Sequence, residues 1–416
     1  MKEPDNNYHR RNFFVFLWHA LFLALAKNFT DVNTIVPSMI ISAGGTPVHL
    51  GIQTAIMIGG ANFMQIVFAG FLTRKARKKG YLILGISLRI FSLLSLGFLL
   101  YESVNLKGPV VILLIFIIIS LFSFSGSFAN ISYTDILGKS IKKETRKKFF
   151  TLRQTIISSG ILISAIIVRK LVKIYSYPFN YSLLFSIAGI LLFIASIGFW
   201  LIKEKPTNFG DSSLKNRSIV GAYIQIFKED RNVRYYLLLV NSMGFGLIIV
   251  PFYVYLAKQN LSLDSKTIGN FLLVQIVGMI ISNYIWHKIV KKYSYRGVVR
   301  AYAVIGAIVP ILALVLSGEI GVFFSRELYV LVFFLAGFNN SAYQIAAPGI
   351  LLEISHEHNR ALYTALSGAG SITTILFPIV SGLLIKWLGF TVVFIIAIAA
   401  IELSWLAIKN IKCTYD

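Results

Sequence analysis

Apolar runs of about twenty residues recur twelve times along this chain, and that recurrence constrains its fold more than any motif. A hydrocarbon core about 30 Å thick is crossed by roughly 20 helical residues. Runs of that length fall at 13–41, 50–72, 81–101, 110–137, 149–168 and 181–202. A second set falls at 235–257, 268–290, 298–316, 328–352, 361–385 and 390–408. They lack the polarity at every second residue that the lumen face of a barrel requires, so they read as helices. Of 416 residues, 56% are hydrophobic and 14% charged, which excludes an ordinary soluble domain.

The two sets repeat each other. Ile35-Val36-Pro37 in the first run returns as Ile249-Val250-Pro251 in the seventh. Gly51 and Gly60 in the second return as Gly269 and Gly278 in the eighth, and Arg146 before the fifth as Arg360 before the eleventh. The expected fold is an all-α membrane protein: twelve transmembrane helices in two pseudo-symmetric six-helix bundles, 1–202 and 235–416. Residues 203–234 form a cytoplasmic linker, with Ile219, Tyr223, Ile226 and Phe227 spaced for a possible interfacial helix at 218–234. Arg10-Arg11, an apolar run and Ala24-Leu25-Ala26 have the shape of a cleavable signal. The repeat match at residues 35–37 keeps this segment in the bundle instead. The single cysteine, Cys413, forms no intrachain disulfide.

A net charge of +23 invites a nucleic-acid reading, which the distribution of charge opposes. Twenty-nine of the forty Lys and Arg residues fall in alternate loops and at the termini, and eight on the other side. By the positive-inside rule both termini are cytoplasmic, in the inner membrane, with basic loops against anionic lipid headgroups. The cluster Arg169, Lys170, Lys173 runs against this trend and has no account in the sequence.

Ionisable groups inside hydrocarbon are rare and costly, so their presence points to function. The first run holds Lys27, Asn28 and Asp31, with Thr34 and Ser38 extending the stripe. On a continuous helix Lys27 and Asp31, four apart, share a face and can pair. Pro37 is expected to kink that helix near its outer end. Either the pair neutralises itself beside a wet cavity, or Asp31 exchanges a proton while Lys27 binds an anionic group. Asn241 takes the repeat position of Lys27, so the halves are not equivalent. Further cavity candidates are Asn130 and Tyr133 in the fourth run and Asn339, Asn340 and Gln344 in the tenth, where helix–helix hydrogen bonding is the alternative. Arg89 either snorkels or is buried.

The loop after the second run holds Gly70, Leu72, Lys75, Lys78 and Lys79, with Thr73, Arg74 and Arg77 between them. This resembles the signature loop of the Major Facilitator Superfamily, Gly-x-Leu-Ala-Asp-Arg-x-Gly-Arg-Lys/Arg, over a chain of matching length. Lys75 and Lys78 replace its arginines, and Thr73, Arg74 and Arg77 its alanine, aspartate and second glycine. Trp286, Val290, Lys291, Lys292 and Arg296 fill a similar loop in the second half. The resemblance implies that helices one, four, seven and ten line a cavity, and that two, five, eight and eleven join the halves. It also implies gating by charged groups at the inner ends: Gly70, Arg74, Arg77, Asp135, Arg153, Glu353 and Arg360, with Asp135 pairing to Arg74 or Arg77. Small residues in the fifth and eleventh runs suit a sliding contact.

No catalytic constellation stands out, and no enzyme activity, cofactor or metal is expected. His356-Glu357-His358 places its histidines too far round a helix to share a metal, and no phosphate-binding loop follows a strand. The expected function is secondary active transport of a small organic solute by alternating access, coupled to protons or another ion, by a monomer. A largely uncharged cavity would suit a neutral or amphipathic solute. A non-transporting sensor or a lipid scramblase on the same scaffold are the alternatives.

Overall fold

Backbone groups in hydrocarbon have no water to bond, and the chain meets that demand with helices. The computed structural model describes residues 6–72, 75–206, 225–261, 263, 267–318, 326–355, 363 and 373–411, and no strand occurs among them. Nine helical segments among the described residues are long and apolar enough to span a membrane. Residues 373–388 form a shorter apolar helix.

The first crossing is built in pieces: α1 (Asn6–Lys27), a 3-10 turn (Asn28–Thr30) and α2 (Ile35–Ser42). A continuous helix kinked at Pro37 was expected; the break instead comes earlier, after Lys27. Asn28, Thr30, Asp31, Asn33 and Thr34 crowd this stretch, and short polar side chains compete with the helix for its own backbone groups. Pro37 falls in the first turn of α2, where a missing N–H costs nothing. The second crossing is α3 (Pro47–Thr54), a π-turn (Ala55–Gly60) and α4 (Ala61–Leu72). Four long helices follow: α5 (Lys79–Glu102), α6 (Gly108–Ser140), α7 (Arg146–Ile174) and α8 (Phe179–Leu201).

The second half echoes this plan. Its first crossing is α9 (Arg231–Ile248) and α10 (Val250–Asn260), with Pro251 in the first turn of α10. The repeated Ile-Val-Pro therefore marks where a broken crossing restarts. The expected eighth and ninth crossings lie in α11 (Ile268–Ser317), bent at Ser294 by its φ of 56°. Then come α12 (Val330–Ile354), α13 (Thr373–Leu388) and α14 (Phe390–Asn410). Of the expected interfacial helix, residues 225–229 are helical and Asp230 caps α9, accepting from Asn232 N at 2.8 Å. Ser367, Gly368, Gly370 and Ser371 lie outside the described residues.

The helices form two units, Met1–Gly44 with Gly60–Asp211, and Gly45–Gly59 with Ser212–Asp416. In the first, α5 packs on α6 and α8, and α1 on α7 and α8. In the second, α11 packs on α12, α9 on α14, and α3 along α13. Glycine permits the close approaches: a Cβ on Gly278 would strike the Phe334 carbonyl, and one on Gly337 the Gln275 carbonyl. Gly51 and Pro378 meet in the same way where α3 crosses α13. Gly278→Leu should therefore destabilise the protein by about 1–3 kcal/mol of overpacking. Thermal unfolding should fall for this variant and stay unchanged for Gly80→Ala, whose Cβ would meet open space.

Candidate functional site

The first unit gathers most of the expected polar residues, and the broken first crossing sets their roles. Asn28 is buried and donates to Ile161 O at 2.6 Å and Ser164 Oγ at 2.8 Å, which fixes the break against α7. Asp31 accepts from Asn33 N (3.0 Å), Thr34 N (2.7 Å) and Thr34 Oγ1 (2.8 Å). It thus binds the two backbone N–H groups just ahead of α2 in a local side-chain turn. Thr34 is buried, and Ser38 bonds Tyr181 OH at 2.5 Å. The expected Lys27–Asp31 ion pair does not form. The four-residue spacing works only on an unbroken helix, and here the helix ends at Lys27. Asp135 forms ion pairs with Lys78 and Lys139.

Lys27 is exposed, yet it does not share the apolar exposed stripe of Phe14, Trp18 and Leu21. At about 100° per residue it lies roughly 120–180° round from them. Asn130 on α6 is exposed as well, and the first half of α7 exposes Thr151, Gln154, Thr155 and Ser158 at helical spacing. Lipid tails solvate none of these groups, so this face of the unit belongs to water or to protein. Tyr133 borders it, packed edge-on against Phe16, with its ring 5.4 Å from His19 and Arg153 nearby.

Asp135 sits at the basic end of α6, bonded to Lys78 at 2.9 Å and to Lys139. Arg77, expected as its partner, is exposed and makes no such pair; Arg74 lies outside the described residues. Lys78 wins because its backbone is anchored: Glu204 accepts from Lys78 N at 2.7 Å and Lys79 N at 2.7 Å, capping α5. Lys79 in turn donates to Trp200 O and Ile202 O at 2.8 Å, tying α5 to the end of α8. Gly70 lies in α4 and Arg153 in the first turns of α7. Glu353 lies at the end of α12, while Arg360 and the His356–His358 segment are outside the described residues.

In the second unit, Asn241 donates to Leu237 O and accepts from Thr373 Oγ1 at 2.7 Å, which links α9 to α13. Asn339 is buried beside Gly306. Asn340 accepts from the exposed Gln344 at 2.8 Å along α12. The structure brings together Lys27, Asn130, Tyr133 and Arg153 in one unit and the amides in the other. It shows no metal-binding group of His, Cys, Asp or Glu among the described residues.

The sequence matches the description Major Facilitator Superfamily over residues 17–257 and again over 235–408. The chain belongs to the Major Facilitator Superfamily. It is accordingly a multi-pass membrane protein with the twelve-helix, all-α transporter fold. Its backbone is similar to a mutant of the nucleoside transporter NupG (TM-score 0.70, 13% identity, covering 96% of this chain and 100% of that one). It is similar to a POT family transporter in complex with 5-aminolevulinic acid (TM-score 0.71, 14%, 97% of each chain). A bacterial homologue of the iron transporter ferroportin gives a TM-score of 0.66 at 14% identity, covering 99% and 100%. At such identities the likeness is one of fold. No curated protein matches the sequence.

Within this superfamily fold, His19 and Glu204 were not singled out from the sequence, and Lys78 was named only as part of the signature loop. Glu204 acts on residues some 126 positions earlier, beyond the reach of any local pattern. His19 carries a signal that was available, a lone imidazole in an apolar run. The Asp135–Lys78 pair joins a buried ammonium to a quarter-exposed carboxylate. Because solvent screens it, a double-mutant cycle of Asp135→Asn and Lys78→Gln should give a coupling of about 1 kcal/mol. A coupling of zero would make the pair incidental to the packing of α5 on α6.

Proposed function

We propose that this superfamily member is a proton-linked secondary transporter that moves a small organic solute across the cytoplasmic membrane by alternating access. It works as a monomer, with bundles 1–202 and 235–416 rocking about the cavity and both termini cytoplasmic. The basic ends of α5, α6 and α7 support that orientation. The polar exposed face of the first unit supports a wetted path.

One observation carries the coupling reading. Asp31, at membrane depth, is held by three donors at the break in the first crossing. As a carboxylate it accepts three charge-assisted bonds and fixes the start of α2. As a neutral acid it weakens all three and loosens the joint between α1 and α2. Protonation is thereby tied to the geometry of a helix that lines the path, which is what coupling requires.

Asp31→Asn separates charge from hydrogen bonding, since the Asn amide oxygen can accept the same bonds from Asn33 and Thr34. In proteoliposomes with an imposed pH gradient, Asp31→Asn should lose solute accumulation, retain solute exchange and keep its unfolding temperature. Accumulation equal to wild type would remove Asp31 from the coupling step. Asp31→Ala should in addition cost about 1 kcal/mol of stability from the lost hydrogen bonds to Asn33 and Thr34.

A further inference from the structure

The first unit holds two guanidinium groups, Arg89 within α5 and Arg153 in the first turns of α7, that form no ion pair with a carboxylate among the described residues. Arg89 stands ten residues into α5, about 15 Å from its basic end. It does not snorkel. Its guanidinium crosses to α6 and lies over the Phe122 ring at 4.3 Å, in space left by Gly126, where a Cβ would come within 3.2 Å of its Cζ. Arg153, on α7, lies near Tyr133 on the same helix α6. Nε of each arginine is buried without a hydrogen-bond partner. Phe122, Gly126, Asn130 and Tyr133 recur every three to four residues and so share one face of α6. Gly126 and Tyr133 are two turns apart, about 10 Å, and the exposed Asn130 lies between them.

Among the described residues, the carboxylates of the unit are engaged or distant. Asp31 is bonded to Asn33 and Thr34 ahead of α2, and Asp135 is on the opposite face of α6 in its two ion pairs. Glu204 caps α5, Glu102 ends α5 at the far side, and Glu144 lies in the loop before α7. α4 and α8 carry no charged side chain. An uncompensated guanidinium in a low-dielectric interior is costly, and its planar fork of donors fits carboxylate and phosphate oxygens. We infer that the transported solute carries an anionic group, a carboxylate or a phosphate, which seats at Asn130 between Arg89 and Arg153. This rests on the transport reading and replaces the neutral solute that an uncharged cavity would suit.

The full-length protein in lipid nanodiscs is titrated with sodium succinate, sodium phosphate and uncharged glycerol, at an ionic strength held by sodium chloride. Succinate or phosphate should raise the unfolding temperature saturably, and glycerol should not. Arg89→Gln and Arg153→Gln should each weaken that response at least tenfold, while Lys173→Gln, at the far end of α7, leaves it intact. Should either arginine variant fail to fold, Asn130→Asp decides. A carboxylate placed between the guanidinium groups should stabilise the ligand-free protein and abolish the anion response. Anion responses no larger than that of chloride, or an Asn130→Asp variant less stable than wild type, would overturn the site. Tracer flux in proteoliposomes separates this from the transport reading. Flux of uncharged or cationic solutes without anion binding overturns the anion site alone, and anion binding without any flux overturns transport alone.

Discussion

Hydrocarbon offers no hydrogen bonds, so every polar group this chain carries to membrane depth must find a partner or line water. That demand explains the first crossing. Its helix ends at Lys27 because a run of Asn, Thr and Asp side chains competes for the backbone. The break survives because Asn28 bonds into α7 and Asp31 gathers three donors ahead of α2. A discontinuity that would be ruinous if exposed to lipid becomes a joint. The same logic recurs at Ile249, where α9 gives way to α10.

From that joint the functional reading follows in steps. A jointed helix can change its outer segment without disturbing the inner one. A charge that holds the joint makes its geometry sensitive to protonation. The polar face of the first unit, from Lys27 through Asn130 to Ser158, supplies a route that lipid does not fill. Of the forty basic residues, three belong to neither side of the membrane by the loop pattern, and they are Lys27, Arg89 and Arg153. All three fall in the first unit, which agrees with the inequality between halves visible where Asn241 replaces Lys27.

The helices, their number and the internal repeat were legible in the sequence, because apolar length and paired motifs are local signals. Which side chains meet was not. The Lys27–Asp31 pairing assumed an unbroken helix, and a cluster of short polar residues just past Lys27 was the sign against it. Asp135 pairs with Lys78 and not Arg77 because Glu204, remote in sequence, orders the start of α5. The fate of Arg89 turned on Gly126, whose missing side chain leaves room for a guanidinium. Asn28 and Asn241 tie helices together, as amides in membranes commonly do.

The central claim is that the face of α6 bearing Asn130 is wetted, and from alternate sides of the membrane. Single cysteines at Asn130 and at Phe14, in a background with Cys413 replaced by serine, can be labelled in oriented vesicles with a membrane-impermeant thiol reagent. The account predicts that the cysteine at 130 reacts when reagent is applied from either side, while the cysteine at 14 is protected and yields only to a lipid-soluble reagent. Protection of position 130 from both sides, with reaction only through the lipid, would contradict it.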